Sequence, residues 1–371
     1  MTDPRWREIG ASWKENAPDG AGDVSCQKRP FFYSFKALNI LIIGGTGVIS
    51  TAIARQLLEA EHHVTLFNRG ISERRLPPGA EIVVGDRKDY ADFERKFGER
   101  RFDVVLDMMA FVPADSASAV RAFAGRTAQF IHCSTVCVYS GPVTQIPTTE
   151  SEPYHSIGEY GRNKIACEEL LLREWHENGF PVTIMRPSHS YGEGGKLIRP
   201  FGPANGFVER LRKGKPVVVP GDGSSLWASC HVDDVARGFI GAMGNPKCLG
   251  QAYNIAGDEW VTWDTYFQQI AEVVGGKFEP VHIPTEVLWE VAPKWAQGTH
   301  EIFSWPSIFD SSKIKADAGY SGQTVSWRQG VARTIAWLER DGSLTAGPEE
   351  DYEDRLIEAW RSGIPSLPRL S

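Results

Sequence analysis

The chain has 371 residues, 42% of them hydrophobic, and a formal net charge of −7. That length holds one large α/β domain and a smaller lobe around a real core, and an acidic balance without a long basic run argues against an ordinary nucleic-acid binder. No apolar stretch reaches the ~18 residues of a membrane span, so no membrane partner is expected.

Residues 1–36 read as a polar extension without the apolar segment of a secretory signal, with Trp6, Trp13 and the Phe31-Phe32-Tyr33 cluster as potential anchors. The first apolar run, 38–43, is bounded by glycine and reads as a buried parallel strand. A helix over 51–61 and a strand over 63–67 follow, then a strand at 81–84 and a helix at 90–97. A strand at 102–107, a helix near 116–123 and a strand at 129–132 precede a long helix over 160–178 and a sixth strand at 182–186. Strands alternating with helices at this spacing predict a Rossmann-type, doubly wound parallel α/β sheet over 37–186. Beyond it, Pro, Gly and aromatic residues concentrate at 187–223 and 284–306. They predict a smaller C-terminal substrate lobe over 187–340, interleaved with late elements that return to the sheet. Residues 341–371 read as a tail around a short helix at 352–361, with no chemistry assigned. The six cysteines (26, 133, 137, 167, 230 and 248) show no zinc or redox spacing, and Cys133 and Cys137 read as packing residues. A reduced, cytoplasmic protein without a metal is expected.

The first strand runs into Gly44-Gly-Thr-Gly47-Val-Ile-Ser50 and then a helix, the arrangement that brings backbone to a pyrophosphate at a helix N-terminus. Gly44 supplies the tight turn and Gly47 the close approach, with Ser50 as a small residue for helix–strand packing. Where a ribose-binding carboxylate would signal NAD, the second strand ends in Asn68-Arg69. Arg69 either pairs with a 2′-phosphate or faces solvent; the absence of a carboxylate leans the expectation to NADP. Asp86 is placed to accept from an adenine amino group or simply to close a turn. The cofactor set read from the sequence is Gly44, Thr46, Gly47, Val48, Ile49, Asn68, Arg69, Asp86, Arg87, Ala110, Tyr160, Lys164, Pro187 and His189.

Tyr160-x-x-x-Lys164 places a phenol and an ammonium one turn apart on a helix face. There the ammonium is expected to lower the phenol's pKa toward neutrality, as proton transfer to or from a carbinol oxygen requires. With Gly44-Gly-Thr-Gly47, Ser134-Thr-Val-Cys-Val-Tyr139, Arg186-Pro187 through Tyr191-Gly192, His231-Val-Asp-Asp234 and Phe309-Asp-Ser-Ser-Lys313, the chain resembles the extended short-chain dehydrogenase/reductase superfamily. The resemblance is to its NAD-dependent epimerase/dehydratase branch and runs over about 38–338. It implies that Thr135, with Ser134 beside it, holds the substrate oxygen, that Lys164 also bonds the nicotinamide ribose, and that Pro187 and His189 line the nicotinamide end. It implies further a homodimer through the helix of Tyr160 and the helix after the fourth strand, to which Leu170, Leu171 and Leu172 could contribute.

Two departures narrow this. Val136-Cys137 stand where dehydratases of the branch carry Asp-Glu, which argues against sugar dehydration. Trp227 stands where nucleotide-sugar members carry a diphosphate-gripping arginine; it can stack on a sugar ring instead, and Arg199, Arg210 and Arg212 are the substitutes for the missing charge. The glycine turn with Asn68-Arg69-Gly70 also resembles a subgroup related to chloroplast stem-loop RNA-binding proteins, whose members have lost catalytic residues that this chain keeps. The leading expectation is an NAD(P)-dependent epimerase of a sugar, sugar derivative or nucleotide sugar, working through a transient ketone. The alternatives are an NADP(H)-dependent reductase or dehydrogenase and, third, a non-catalytic dinucleotide- or RNA-binding scaffold.

Overall fold

The computed structural model describes residues 37–71, 77–344 and 350–363; the N-terminal extension, its aromatic anchors and Cys26 lie outside the described residues. β1 (Asn39–Ile43) is buried from Ile40 onward, and its period-2 alternation divides it between two cores. Ile40 and Ile42 pack with α1 (Val48–Glu59) and α6 (Val232–Ala242). Leu41 and Ile43 pack with α2 (Tyr90–Phe97), α3 (Pro113–Phe123) and α4 (Glu159–Asn178). A strand covered on both faces needs apolar residues at every position, hence the unbroken run.

Six further strands join it: β2 (His63–Asn68), β3 (Glu81–Val84), β4 (Phe102–Asp107), β5 (Thr127–Cys133), β6 (Val182–Pro187) and β10 (Ala252–Ile255). All pairings are parallel, in the order β3-β2-β1-β4-β5-β6-β10. The sheet is therefore the doubly wound one expected, with β10 as the late element that returns to it. The order reverses between β1 and β4, and the carboxyl ends of those strands open the crevice where such sheets take ligands. α3 starts earlier than the expected 116, because Pro113 takes a first-turn position and Asp115 accepts from the amides of Phe111 (2.8 Å) and Val112 (3.1 Å). On α4, Leu171 is buried and Leu170 and Leu172 pack against the same intramolecular core.

In the lobe, β7 (His189–Tyr191) pairs with β9 (Leu226–His231), β9 with β11 (Trp260–Thr262), and β8 (Val217–Pro220) with β12 (Pro280–Ile283). α5 (Gly206–Arg212), α7 (Trp263–Val273) and α11 (Trp327–Asp341) enclose an aromatic core in which Trp227 stacks on Trp263 at 4.9 Å. α8 (Thr285–Val291) and α9 (Pro293–Gly298) lead into a π-helical turn, Thr299–Phe303, and α10 (Ser312–Ala318) packs back on the sheet layer. α12 (Glu350–Gly363) is longer than the short tail helix expected, and it is part of the lobe. Ile357 packs on Val218, Ile283 and Leu288, and Glu353 is buried. Among the described residues no helix is long and apolar enough to cross a membrane, and the five described cysteines are free thiols.

Candidate active site

The glycine turn after β1 is built for a close neighbour. Gly44 sits at φ +118°, and a Cβ there would stand 3.2 Å from Met109 Cγ; Gly45, at φ +97°, would meet Leu66 at 3.0 Å. Ser50 does more than the packing expected of it: its hydroxyl accepts from the Gly47 amide at 3.0 Å and returns a bond to the Gly47 carbonyl at 3.2 Å, capping α1. Thr46, Val48 and Ile49 are half-buried along the same turn, and the first turn of α1 carries no acidic residue. A positively polarised helix end without acidic residues, beneath a turn with three glycines at 44, 45 and 47, fits a dinucleotide pyrophosphate.

The outer cofactor positions divide. Asn68 Oδ1 accepts from the Gly70 amide at 2.8 Å, while its buried Nδ2 has no partner. Arg69 is exposed and forms no hydrogen bond or ion pair among the described residues. Asp86 is exposed and accepts from the Lys88 amide at 2.8 Å. Arg87 is interior: it donates to the Asp115 carbonyl at 2.5 Å, faces Asp107 Oδ2 at 3.4 Å and lies 4.0 Å above the Phe93 ring. It braces the loops after β3 and β4 from within, a placement the sequence reading did not foresee. Ala110 is buried as well, and its carbonyl is taken by Lys164. Pro187 ends β6 and is buried.

Tyr160 and Lys164 stand on the first turns of α4. Gly161 lets that helix press against the turn after β5, since a Cβ there would collide with Ser156 Oγ and the Cys137 carbonyl. Lys164 is 2% exposed; its ammonium donates to the carbonyls of Ala110 (2.7 Å) and Cys133 (2.8 Å) and lies 5.9 Å from the centre of the Tyr160 ring. Two of its three N–H groups are thereby fixed. Thr135 Oγ1 accepts from the Cys137 amide at 3.1 Å, and its O–H is directed to the Tyr160 phenol. Tyr160 is 46% exposed, yet its surroundings push the phenol up, not down: desolvation raises it first, Cys133 and Cys137 add to this, and the Thr135 hydroxyl pulls the other way. The expected lowering by Lys164 is absent here, because that ammonium is turned to backbone carbonyls.

Ser134, expected beside the substrate, donates instead to the buried carboxylate of Glu168. Glu168 also receives Arg186 Nε at 3.0 and 3.1 Å and the Tyr154 hydroxyl at 2.7 Å, and Arg186 reaches on to the Tyr139 hydroxyl. This network ties α4, the end of β5 and β6 into one block under Thr135.

A cavity of about 190 Å³ opens beside Thr135. Val136, Cys137, Tyr139, Trp227, Phe303 and Trp305 contribute much of its wall. His189 is also there; its Nδ1 shares a 2.9 Å bond with Ser229 Oγ, which in turn takes the Trp227 indole N–H at 3.0 Å. Burial pushes the imidazole down to about 4, so it is neutral at physiological pH. The three arginines expected to replace a missing phosphate grip are all engaged. Arg199 forms a two-armed pair with Glu353 (2.7 and 3.2 Å), and Arg210 meets Glu353 at 3.3 Å and Asp354 at 2.6 Å. Arg212 is paired with Glu209 at 2.7 Å and with Glu339.

Residues 40–256 match the model of the NAD dependent epimerase/dehydratase family. The chain belongs to that family. It is 27% identical to 2′-dehydrokanamycin reductase of Streptomyces kanamyceticus, over 90% of this chain and 93% of the relative. It is 30% identical to chloroplast stem-loop binding protein of 41 kDa b of Arabidopsis thaliana, over 72% of this chain and 69% of the relative. Among solved structures it is similar to UDP-glucose 4-epimerase of Thermotoga maritima, solved with UDP-glucose: TM-score 0.67, 26% identity, 82% of this chain and 99% of that one. Family relatives thus include epimerases, dehydratases and a reductase. Within the family, this member has Val136 buried and the Cys137 thiol pushed up by burial at the dehydratase acid–base positions. An acid missed in the sequence, Glu301, has its Oε2 2.5 Å from where a Cβ on Gly158 would stand, and its charge helps hold Cys137 up.

Proposed function

We propose that this family member is an NAD(P)-dependent oxidoreductase that interconverts a carbonyl and a carbinol on a sugar or sugar-like ring, with net redox in each turnover. The observation that carries net redox over epimerisation is the pairing of Arg199, Arg210 and Arg212 with carboxylates. An epimerase must hold its ketone by a remote group while the ring presents its second face, and a diphosphate grip is the usual source of that binding energy. Trp227 and three engaged arginines provide no such grip. The similarity of the reductase from Streptomyces over nine-tenths of the chain supports the same reading.

A nicotinamide dinucleotide, when bound, supplies or takes up the electron pair. The protein's share is the proton and its placement. In the reducing direction the Tyr160 phenol gives its proton to the substrate oxygen. The Thr135 hydroxyl, directed to the Tyr160 phenol, would turn to the same substrate oxygen. Lys164, donating to the carbonyls of Ala110 and Cys133, fixes the first turns of α4 and so the position of Tyr160. Arg69 is the residue through which a 2′-phosphate would be read.

Loss of reduced dinucleotide absorbance with uncharged keto-sugars tests this. Tyr160→Phe is expected to lower kcat by about 100-fold or more; parent-like turnover in that variant would sink the mechanism. Epimerisation is the second reading, favoured by the similarity to the Thermotoga enzyme. It would appear as interconversion of two sugars without change in the reduced dinucleotide.

A further inference from the structure

β7 runs into a glycine-rich strap, Gly192-Glu193-Gly194-Gly195, in which the Gly195 amide donates to the Gly192 carbonyl at 3.0 Å. The strap is wedged between two helix starts. A Cβ on Gly195 would stand 3.1 Å from Cγ1 of Val48, the first residue of α1. One on Gly192 would stand 2.5 Å from Cγ2 of Val232, the first residue of α6. The Glu193 side chain leaves the strap toward the lobe, where its Oε1 accepts from Arg333 Nε of α11 at 2.7 Å. Its Oε2 lies 3.4 Å from Nε2 of the buried His231, whose Nδ1 accepts from the Asp233 amide at 3.2 Å. Arg333 Nη2 also reaches Asp233 at 2.7 Å, and Arg55 of α1 meets Asp233 from its other side at 2.5 Å. Charges of alternating sign thus run from α1 to the strap through Asp233 and Arg333. The Glu193 carboxyl is held down to about 2, by His231 first, against a desolvation that raises it, with Arg333 adding to the lowering.

Removing Arg333 would not fall equally on its two partners. Asp233 keeps Arg55 and its place in the first turn of α6. Glu193, 35% exposed, keeps only the contact with His231. The glycines beside it, at φ +143° and +86°, give the strap conformations closed to other residues. Next to the strap is the start of α1, positively polarised and without an acidic residue of its own. We propose that Arg333 is a positioning residue for the dinucleotide: it holds the Glu193 carboxylate off the α1 N-terminus, which an unpaired Glu193 would occupy in competition with the pyrophosphate. The proposal rests on the dinucleotide site at Gly44 to Gly47, and not on the direction or substrate of the redox step. Arg333 touches no reacting atom; it acts through Glu193.

The test is titration of the full chain and its variants with NAD and with NADP. Arg333→Met is expected to weaken both by ~10-fold, and by the same factor, because the pyrophosphate is common to the two. Adding Glu193→Gln to Arg333→Met should return both affinities to within ~2-fold of the parent, since the competing charge is gone. The ratio of parent to Arg333→Met affinity should shrink in ~1 M salt, where the screening length is about 3 Å. Arg333→Lys keeps the charge and should stay within ~3-fold of the parent. A merely structural Arg333 would leave the double variant at least as weak as Arg333→Met, and that result would overturn the proposal. So would parent affinity in Arg333→Met, a loss confined to one dinucleotide, or a parent chain that binds neither. All of these are binding measurements made without substrate. Failure of the redox reading therefore shows as absent turnover with the Arg333 and Glu193 pattern intact. Failure of this proposal shows as that pattern lost while Tyr160-dependent turnover persists.

Discussion

Glu353→Gln tests whether α12 is an integral part of the lobe. In the parent the carboxylate lies between two guanidinium groups, at 2.7 and 3.2 Å from Arg199 and 3.3 Å from Arg210, and its Oε1 also takes the Val218 amide at 3.0 Å. All three side chains are at most 3% exposed. Removing the negative charge takes the shared carboxylate from two buried cations, while Arg210 keeps Asp354, itself 42% exposed, and the Pro216 carbonyl. Breaking one partner of such a buried pair costs ~3–5 kcal/mol. That is a large fraction of the ~5–15 kcal/mol by which a folded domain is stable. For a chain of this size it corresponds to a fall in Tm of roughly 4–6 °C. Urea and thermal unfolding of the full chain measure it. Adding Arg199→Met to Glu353→Gln should recover part of the loss, because one uncompensated charge is then gone. A Glu353→Gln protein within ~0.5 kcal/mol of the parent, the scale of an ordinary surface substitution, would refute the buried clamp.

Other expectations follow from the site. Arg69→Ala should weaken NADP more than NAD in a direct titration; equal effects on both would show that Arg69 reads no phosphate. Glu168→Gln should lower kcat while leaving dinucleotide affinity in place, since Glu168 acts through Ser134 and Arg186 on the block beneath Thr135; a variant losing only stability would make the network purely structural. His189 has a folded-state pKa of about 4, below its ordinary 6.5, so its contribution to stability is complete above pH ~6.5 and is lost as pH falls through 4. His189→Asn should therefore flatten the stability profile in that window. A parent-like slope in the variant would place the acid sensitivity elsewhere.

The sheet was legible because its signals are local. β3, α2 and β4 fall at the bounds read from the sequence, since each is set off by glycine, aspartate or a short apolar run. Asp89, for example, caps α2 by accepting from the Asp92 amide at 3.0 Å. Tyr160 and Lys164 were singled out by spacing and Thr135 by the family resemblance, and the fold sets the three together at the end of β5. What stayed hidden depends on pairs distant in sequence. Nothing near Arg199 announces Glu353, and nothing near Ser134 announces Glu168. Two signals were available all the same. Glu168 lies one turn beyond Lys164 on the same helix face, and Arg186 interrupts an apolar strand, so a buried ion pair between them could have been suspected.

The most direct test of the central claim is to denature freshly purified protein, identify and count any dinucleotide released, and titrate the stripped chain with the oxidised and reduced forms of NAD and NADP. Net redox predicts that the dinucleotide exchanges freely and binds reversibly to the stripped chain. One tightly retained dinucleotide per chain would contradict it and favour the closed cycle of an epimerase, and a chain that binds neither dinucleotide would contradict the redox reading altogether.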